Sequence, residues 1–505
     1  MKYIIALLIL LSPVLTFAQD FSFSYSTIEA GTNLQNDSPI KAIEFSFPYD
    51  VYRYDLDPVK NELFILLRKV KGVNYKDEGY FALIDLNTNK VKWSRRTTWF
   101  DFVSTKGYYQ VKTFEKIYCY NKENDSLIWT RNNDMAYLDP ESYTYFRYSR
   151  VISIDPATGE ERWKKKRQID LVSGVEELMY LNDSILLVAL QGIHTININD
   201  GSGWNYKLKT SKNNYGLMIA SGLLGVVTGG AINGISSAAF TGPQVKTGMS
   251  SGMMLDGDSI YFASRNELVC LNTKGKKVWG VNYGEDATLG SPMLFNMGDN
   301  IVIMNRGFAY RDGNEVQADA PFIAAYNKIT GAQVYQINFD NKERVRSFYL
   351  NNDTLFLCLK HSLATYTITT GSKIATIEKD QSEIANTVGQ ITPDDYYAQA
   401  ADSNFYNLAQ LYPYHFFIES DNDIYNITPD LTGKQLLKKS DLWKNTGAYG
   451  PYTYLQNSAA DKSIVLYNNK KIANITLGAD PLASNNSIFY SKDNQLVIVD
   501  VSGFK

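Results

Sequence analysis

The stretch VISIDPATGEERWKKKR, Val151 to Arg167, sets an alternating run, a turn containing Pro and Gly, and a single Trp side by side. In an extended chain Val151, Ser153 and Asp155 face one way and Ile152 and Ile154 the other. Asp155 and Pro156 open a tight turn, since Pro presets its own φ, and Gly159 supplies the positive φ that other residues resist. Trp163 then ends the second strand with a broad flat surface. The pattern returns along the chain. ALIDLNTNKVKW ends at Trp93, IYCYNKENDSLIW at Trp129, IHTININDGSGW at Trp204 and LVCLNTKGKKVW at Trp279. Weaker copies are FIAAYNKITGAQVY to Tyr335, LATYTITTGSKIA to Ala375, IYNITPDLTGKQLL to Leu437 and SIVLYNNKKIANI to Ile475, and QLVIVDV begins another at the C-terminus.

Several copies are preceded by a further short strand on a polar turn, such as NDSILLVAL from Asn182, GDSIYFAS from Gly257 and NNDTLFLCL from Asn351. Each unit therefore supplies three or four antiparallel strands. The copies ending at Trp93, Trp129, Trp163 and Trp204 follow one another at 36, 34 and 41 residues, near the length of a four-stranded propeller blade, and wider spacings later imply inserted loops. One small sheet cannot bury both faces alone, so such units pack around an axis, and closing the ring removes exposed edges. The fold expected is all-β: a single β-propeller over 19–505, with about eight blades in a range of seven to ten. The strand FSFSYSTI, Phe21 to Ile28, is expected to complete the sheet begun at the C-terminus.

Within 505 residues, 36 Tyr, 24 Phe and 7 Trp favour pleated, half-buried surfaces. The formal charge of −3, from 50 basic and 53 acidic residues, leaves no field to attract nucleic acid or an anionic membrane. The basic run Lys164 to Arg167 reads as edge-strand charge that discourages aggregation.

MKYIIALLILLSPVLTFAQD reads as a signal peptide over 1–18, cleaved between Ala18 and Gln19, with Thr16 the other small residue of the site. Ser12 and Pro13 interrupt the apolar run well short of the ~20 residues of a membrane span. No Cys lies near the cut for lipid attachment, so a periplasmic or secreted protein is expected. Cys119, Cys270 and Cys358 allow at most one disulfide. The first two sit in matching contexts, IYCYN and LVCLN, as small core-facing residues do.

ISIDPATGEERW resembles the blade signature of the PQQ-like, or quinoprotein-like, β-propellers. The resemblance covers most of the chain after residue 18, strongest from Phe81 to Trp279. It implies that Trp93, Trp129, Trp163, Trp204, Trp279 and Tyr335 are blade-docking residues. The superfamily includes calcium- and quinone-dependent dehydrogenases and also non-enzymatic scaffolds, such as an outer-membrane assembly lipoprotein. The enzyme branch implies an adjacent Cys pair, a carboxylate and amide set for calcium, and an Asp base. This sequence has no adjacent Cys pair and no residue aligns with the catalytic set, so the non-enzymatic branch is the nearer resemblance, with no cofactor, metal or catalytic residue assigned.

Other chemistry is sparse. His194, His361 and His415 have no second ligand at useful spacing, Asp421 and Asp423 lack the Gly and Glu of a calcium loop, and no phosphate-binding Gly loop appears. A Ser-His-Asp site assembled across blades is invisible to sequence. The insertion 213–245, NNYGLMIASGLLGVVTGGAINGISSAAFTGPQV, carries no charge. Its Leu217, Met218, Leu223, Leu224, Val226 and Val227 are candidate partner contacts, while Gly225/Gly229 and Gly230/Gly234/Ala238 would form smooth faces on a helix. Three readings stand: packing on the ring or plugging it, docking to a protein or membrane surface, and a membrane span. Thr392 to His415 is a Tyr-rich loop suited to packing or to a sugar or peptide. Asp-(Ser/Thr)-aliphatic triplets at Ser126, Ser184, Ser259 and Thr354 resemble an O-glycan acceptor of one group of bacteria.

The reading that unites these features is an exported, non-catalytic, monomeric propeller that binds or scaffolds envelope or extracellular proteins. The alternatives are a quinone-dependent oxidoreductase or other enzyme with a site in the central funnel, and a glycan- or peptide-binding propeller.

Overall fold

The computed structural model describes residues 21–501 except 72–73, 106, 134, 148–149, 164–176, 191, 209–245, 248, 285–286, 312–313, 379–388, 421–422, 458–461, 477–478 and 485–486. The signal segment, the basic run after Trp163 and the apolar insertion 213–245 lie outside the described residues. The fold is all-β, built of the antiparallel blades of a β-propeller. Seven four-stranded sheets, two three-stranded sheets and one eleven-stranded sheet are present among the described residues. The eleven-stranded sheet contains two blades joined edge to edge, and one three-stranded sheet is a small accessory of Lys246–Thr247, Phe308–Arg311 and Asn314–Gln317. The nine hairpin segments and the split C-terminal unit fall along successive runs of antiparallel strands, and in the Val151 to Trp163 hairpin the second strand is reduced to the single bridge of Glu161 with Ile154.

The chain divides into two compact units. The first comprises Met1–Asn132, Tyr397–Tyr406 and Trp443–Lys505; the second comprises Asn133–Tyr396 and Asn407–Leu442. In the first unit, Asp50–Asp57, Glu62–Lys71, Asn74–Asp85 and Lys90–Thr97 form one up-and-down sheet, and 102–132 forms the next. Phe64, Leu66, Phe81 and Leu83 of one pack on Phe102, Tyr109 and Val111 of the other. In the second unit, sheets within 135–163, 177–207, 254–282, 293–338, 345–378 and 389–438 follow in order, each pair sharing an apolar cluster. Because neighbours cover both faces, middle strands are buried throughout: Leu63 to Leu67, Ile193 to Ile196 and Leu355 to Leu359 have no solvent face. The alternation expected at Val151 to Ile154 therefore does not separate inside from outside, and all four residues are buried.

The N-terminus closes the last blade, with a different strand from the one expected. Ser38–Ser46 pairs with Gln495–Asp500, with Ala42 opposite Val499 and Phe45 opposite Leu496. Ser24–Asn33, which contains most of Phe21 to Ile28, lies one strand further out, on Ser38–Ser46. Its far end also pairs with the outermost strand of the preceding sheet, Lys470–Ile475, setting Gly31 opposite Ile475 and Asn33 opposite Ala473. Phe45 wins the inner position because its side chain enters the cluster with Phe47, Leu63, Leu67 and Leu496.

A recurring irregularity shapes the outermost strands. In six sheets one residue is skipped by the ladder immediately before the position that follows it in register: Lys92, Ile128, Val278, Val334, Ile374 and Ile472. Such a bulge bends the strand and turns the next side chain. It also moves the ninth copy's equivalent residue to Ala473, which pairs with Val465 as Trp279 pairs with Cys270, and not to Ile475.

Gly31 tests the N-terminal clasp. A Cβ there would lie 2.0 Å from Asn474 O, so Gly31→Val is expected to cost ~2–3 kcal/mol, the range of forced strain in a packed site. Calorimetry should show a lowered melting temperature with unchanged far-UV circular dichroism; an unchanged melting temperature would remove this strand from the 470–475 edge.

Candidate functional site

The turns after the third strand of each sheet repeat one design. Asp85, Asn121, Asp155, Asn197, Asn272 and Asn327 each accept, through the side-chain oxygen, the backbone N–H two residues on, at 2.8–3.1 Å. This Asx turn reverses the chain within four residues and ends at a left-handed position filled by Asn89, Asp125, Gly159, Gly201, Gly275 or Gly331, and the turn that starts at Thr367 ends in the same way at Gly371 without the Asx bond.

Onto this turn the preceding sheet docks its aromatic residue. Trp93 Nε1 donates to Lys122 O at 2.8 Å, Trp163 to Ile198 O at 3.0 Å, Trp204 to Thr273 O at 3.0 Å and Trp279 to Lys328 O at 2.7 Å. The Tyr335 hydroxyl donates to Ile368 O in the same way. Each accepting residue spends its own N–H on the turn between the first two strands of its sheet: Lys122 on Gly107 O, Ile198 on Ser184 O, Thr273 on Asp258 O, Lys328 on Asp299 O and Ile368 on Asp353 O, at 2.7–3.0 Å. The backbone of one residue therefore ties two turns of its own sheet to the aromatic side chain of its neighbour. The rings of Trp163, Trp204, Trp279 and Tyr335 lie against Gly201, Gly275, Gly331 and Gly371. Trp129 is buried opposite Cys119, as Trp279 is opposite Cys270.

Two lysines reinforce the joint from equivalent places. Lys122 Nζ reaches Asp55 Oδ2 at 2.8 Å, and Lys328 Nζ reaches Asp256 Oδ2 at 2.6 Å, each aspartate standing in the first strand of the preceding sheet. Burial favours the neutral Asp55 carboxyl, but the hydrogen bonds from Lys122 and Ser104 prevail and hold it below the usual carboxylate range.

The remaining sequence candidates do not converge. The three cysteines are buried and unbridged, and burial pushes the Cys119 thiol up to about 12 and raises that of Cys270. His194 is buried with Nδ1 3.0 Å from Asn205 Oδ1, His361 faces Glu343, and His415 stacks on Tyr412. Asp423 opens the strand Asp423–Ile427, and Asp421 lies outside the described residues. Among the described residues no group of three His, Cys, Asp or Glu is placed to hold a metal ion, and no helix is long and apolar enough to cross a membrane. In the Tyr-rich loop Phe405 and Leu408 are buried, Asn407 caps Leu408–Leu411, and Tyr414 is exposed. Ser126 is exposed, whereas Ser184, Ser259 and Thr354 are half-buried at the start of second strands. Leu217, Met218, Leu223, Leu224, Val226 and Val227, like Ala18 and Gln19, lie outside the described residues.

One surface was not foreseen from the sequence. The hairpin of Glu62–Lys71 and Asn74–Asp85 outreaches the corresponding strands of other sheets, and near its tip Arg68 is wrapped by aromatic rings. Its guanidinium carbon lies 5.2 Å from the Tyr52 ring centre, 5.0 Å from Tyr75 and 4.2 Å from Phe100. Tyr52 meets Tyr75 edge to face at 5.1 Å. Tyr52, Tyr75 and the adjacent Trp99 are all exposed. Phe100 seats on Gly79, where a Cβ would lie 2.8 Å from its Cε1. Beside them Glu78 binds Lys69, Arg96 and the Tyr49 hydroxyl at 2.8–3.0 Å. That hydrogen bond, with some burial, raises the Tyr49 phenol to about 12. The arrangement is a rigid, polar-rimmed aromatic platform.

Residues 77–280 match a family model described as outer membrane protein assembly factor BamB. Over those residues the repeats match the PQQ-like β-propeller type. The four docking tryptophans and Trp129 fall inside the matched segment, while Tyr335 makes the same joint beyond it. BamB from Moraxella catarrhalis is similar at 11% identity over 80% of this chain and 98% of that chain, with a TM-score of 0.29. The WD40 domain of SCAP from fission yeast is similar at 8% identity over 95% and 99%, with a TM-score of 0.28. A comparison with curated protein sequences finds no match. The PQQ-like repeat accounts for the docking residues and their turns; it does not account for the platform around Arg68.

The joint makes Gly331 a sensitive position. Its φ is 72°, and a Cβ would lie 2.7 Å from Trp279 Cδ2. Gly331→Val is expected to destabilise by about 2–3 kcal/mol, read as a lower urea midpoint at unchanged slope, whereas Gly298→Val, with open space around it, shows only the smaller backbone cost. Equal losses at both would deny the ring contact its part.

Proposed function

We propose that the chain is an exported, non-catalytic propeller that binds or scaffolds other proteins of the bacterial envelope, with the platform of Tyr52, Tyr75, Trp99 and Arg68 as a principal contact surface. The observation that carries this reading is the platform itself. Tyr, Trp and Arg are the residues that dominate binding energy at protein interfaces, and here Tyr52 and Tyr75 are exposed and packed on each other and on the half-buried Arg68, with exposed Trp99 next in sequence to Phe100. Preorganisation of that kind lowers the ordering cost of association. The match to a family described as an outer-membrane assembly factor supports protein binding as the class of activity.

Export belongs to the same proposal: residues 1–18 are a signal peptide cleaved between Ala18 and Gln19, and the mature, monomeric protein is periplasmic or secreted. Buried free thiols suit an oxidising compartment, where exposed ones would be liabilities. The insertion 213–245, through Leu217, Met218, Leu223, Leu224, Val226 and Val227, is a second contact for a protein or a membrane surface. Ser126, the most accessible of the four hydroxyl candidates, is the first site to examine for O-glycan by intact-mass measurement.

A photoreactive amino acid at Tyr75 in the native host is expected to give a discrete crosslinked adduct that Trp99→Ala and Tyr52→Ala diminish at least severalfold, while the same probe at Lys90 gives none. Equal labelling at both positions, or none at Tyr75, would overturn the contact surface. Turnover of a dye acceptor by the purified protein with calcium and the quinone would overturn the non-catalytic reading.

A further inference from the structure

The outermost strand of a blade is an open edge, and this chain shows how one such edge is filled. Lys471-Ile472-Ala473-Asn474-Ile475 carries a bulge at Ile472, Lys471 pairing with Leu466 and Ala473 with Val465. The chain's own N-terminal strand lies on its outer side. Gly31, Thr32 and Asn33 pair with Ile475, Asn474 and Ala473. Leu34 N donates to Ile472 O at 2.9 Å, and Thr476 N donates to Ala30 O at 2.8 Å. Under this cover Ile472 is 5% exposed and shares a cluster with Ala30 and Ile475.

The same edge occurs a second time with no strand over it among the described residues. Lys373-Ile374-Ala375-Thr376-Ile377 differs from the first sequence only by Thr for Asn. The bulge falls at the same place, with Lys373 pairing with Tyr366 and Ala375 with Thr365. Ser372–Glu378 is the last strand of its sheet among the described residues, and Ile374 is 41% exposed. In the first sheet the bulge residue is instead Lys92, paired with Glu62 and Glu123 at 2.6 Å, a charge that discourages edge pairing; Val278 and Val334 are exposed at the equivalent place, but only Ile374 stands in the sequence of the covered edge.

We infer that the Ser372–Glu378 edge is a receptor for an extended strand of a partner protein, bound antiparallel as Ala30–Leu34 is bound to 472–476. The occupant has defined chemistry. It carries Gly opposite Ile377, since a Cβ on Gly31 would meet Asn474 O at 2.0 Å, and a backbone N–H three positions later, as Leu34 N donates to Ile472 O. Main-chain hydrogen bonds supply the affinity, and the covered Ile374 and the glycine supply the selectivity. This edge rests on the reading of the chain as a protein-binding module but shares no residue with the Arg68 platform, so the two fail separately.

The test uses the full mature protein, whose 470–475 edge is already filled by its own strand. A fluorescent peptide of residues 28–36, IEAGTNLQN, is titrated by anisotropy. Saturable binding is expected, weakened at least tenfold by Ile374→Lys and by Val in place of the peptide's Gly. Ile374 is exposed, so the variant's melting temperature should match that of the parent. Absence of saturable binding, or binding indifferent to Ile374→Lys, would overturn the inference. Self-association of the protein alone that Ile374→Lys abolishes would give the edge to a second copy and overturn the partner assignment.

Discussion

The structure depends on one turn residue per joint, whose carbonyl takes the aromatic donor of the preceding sheet while its own N–H ties the turn between the first two strands. Lys122, Ile198, Thr273, Lys328 and Ile368 each hold this post. A buried indole N–H without an acceptor costs more than the bond gains, so the aromatic residue, the tight turn that presents the carbonyl and the left-handed residue that ends it occur together. That coupling explains why the repeat is written so plainly in the hairpins and faintly elsewhere.

Where the aromatic residue is lost, other contacts take over. Tyr335 keeps the joint with a hydroxyl donor. At Ala375 no donor exists, and Thr365 Oγ1 instead donates to Pro429 O of the next sheet at 2.6 Å, over a cluster that includes Phe356, Phe416 and Ile427. In the first unit, the strand Ser24–Asn33 couples the last two blades by backbone pairing. Joints near the chain ends thus rely on apolar burial and shared strands, which leave little trace in a motif.

The hairpins were legible because their causes are local: an Asp or Asn that caps, a residue that tolerates positive φ, and a Trp at fixed distance. The closing strand was not, because FSFSYSTI and the run through Ile43 and Phe45 have similar β character, and only register against Leu496 and Val499 separates them. A one-residue bulge likewise shifted the ninth docking position from Ile475 to Ala473. The Arg68 platform gathers residues 52, 68 and 75 from three strands and 99 and 100 from the loop after Lys90–Thr97, with no fixed spacing. Its single sequence cue was an unusually long hairpin. The near identity of KIATI and KIANI was visible throughout, but only pairing shows that one of them is covered.

The account stands or falls on the indole joints, and hydrogen exchange of the tryptophan side chains measures them directly. In protein labelled with nitrogen-15 at tryptophan, the Nε1–H signals of Trp93, Trp163, Trp204 and Trp279 are expected to exchange at least a hundredfold more slowly than that of exposed Trp99. Exchange of those four as fast as Trp99, under conditions where the backbone of the central strands stays protected, would contradict it.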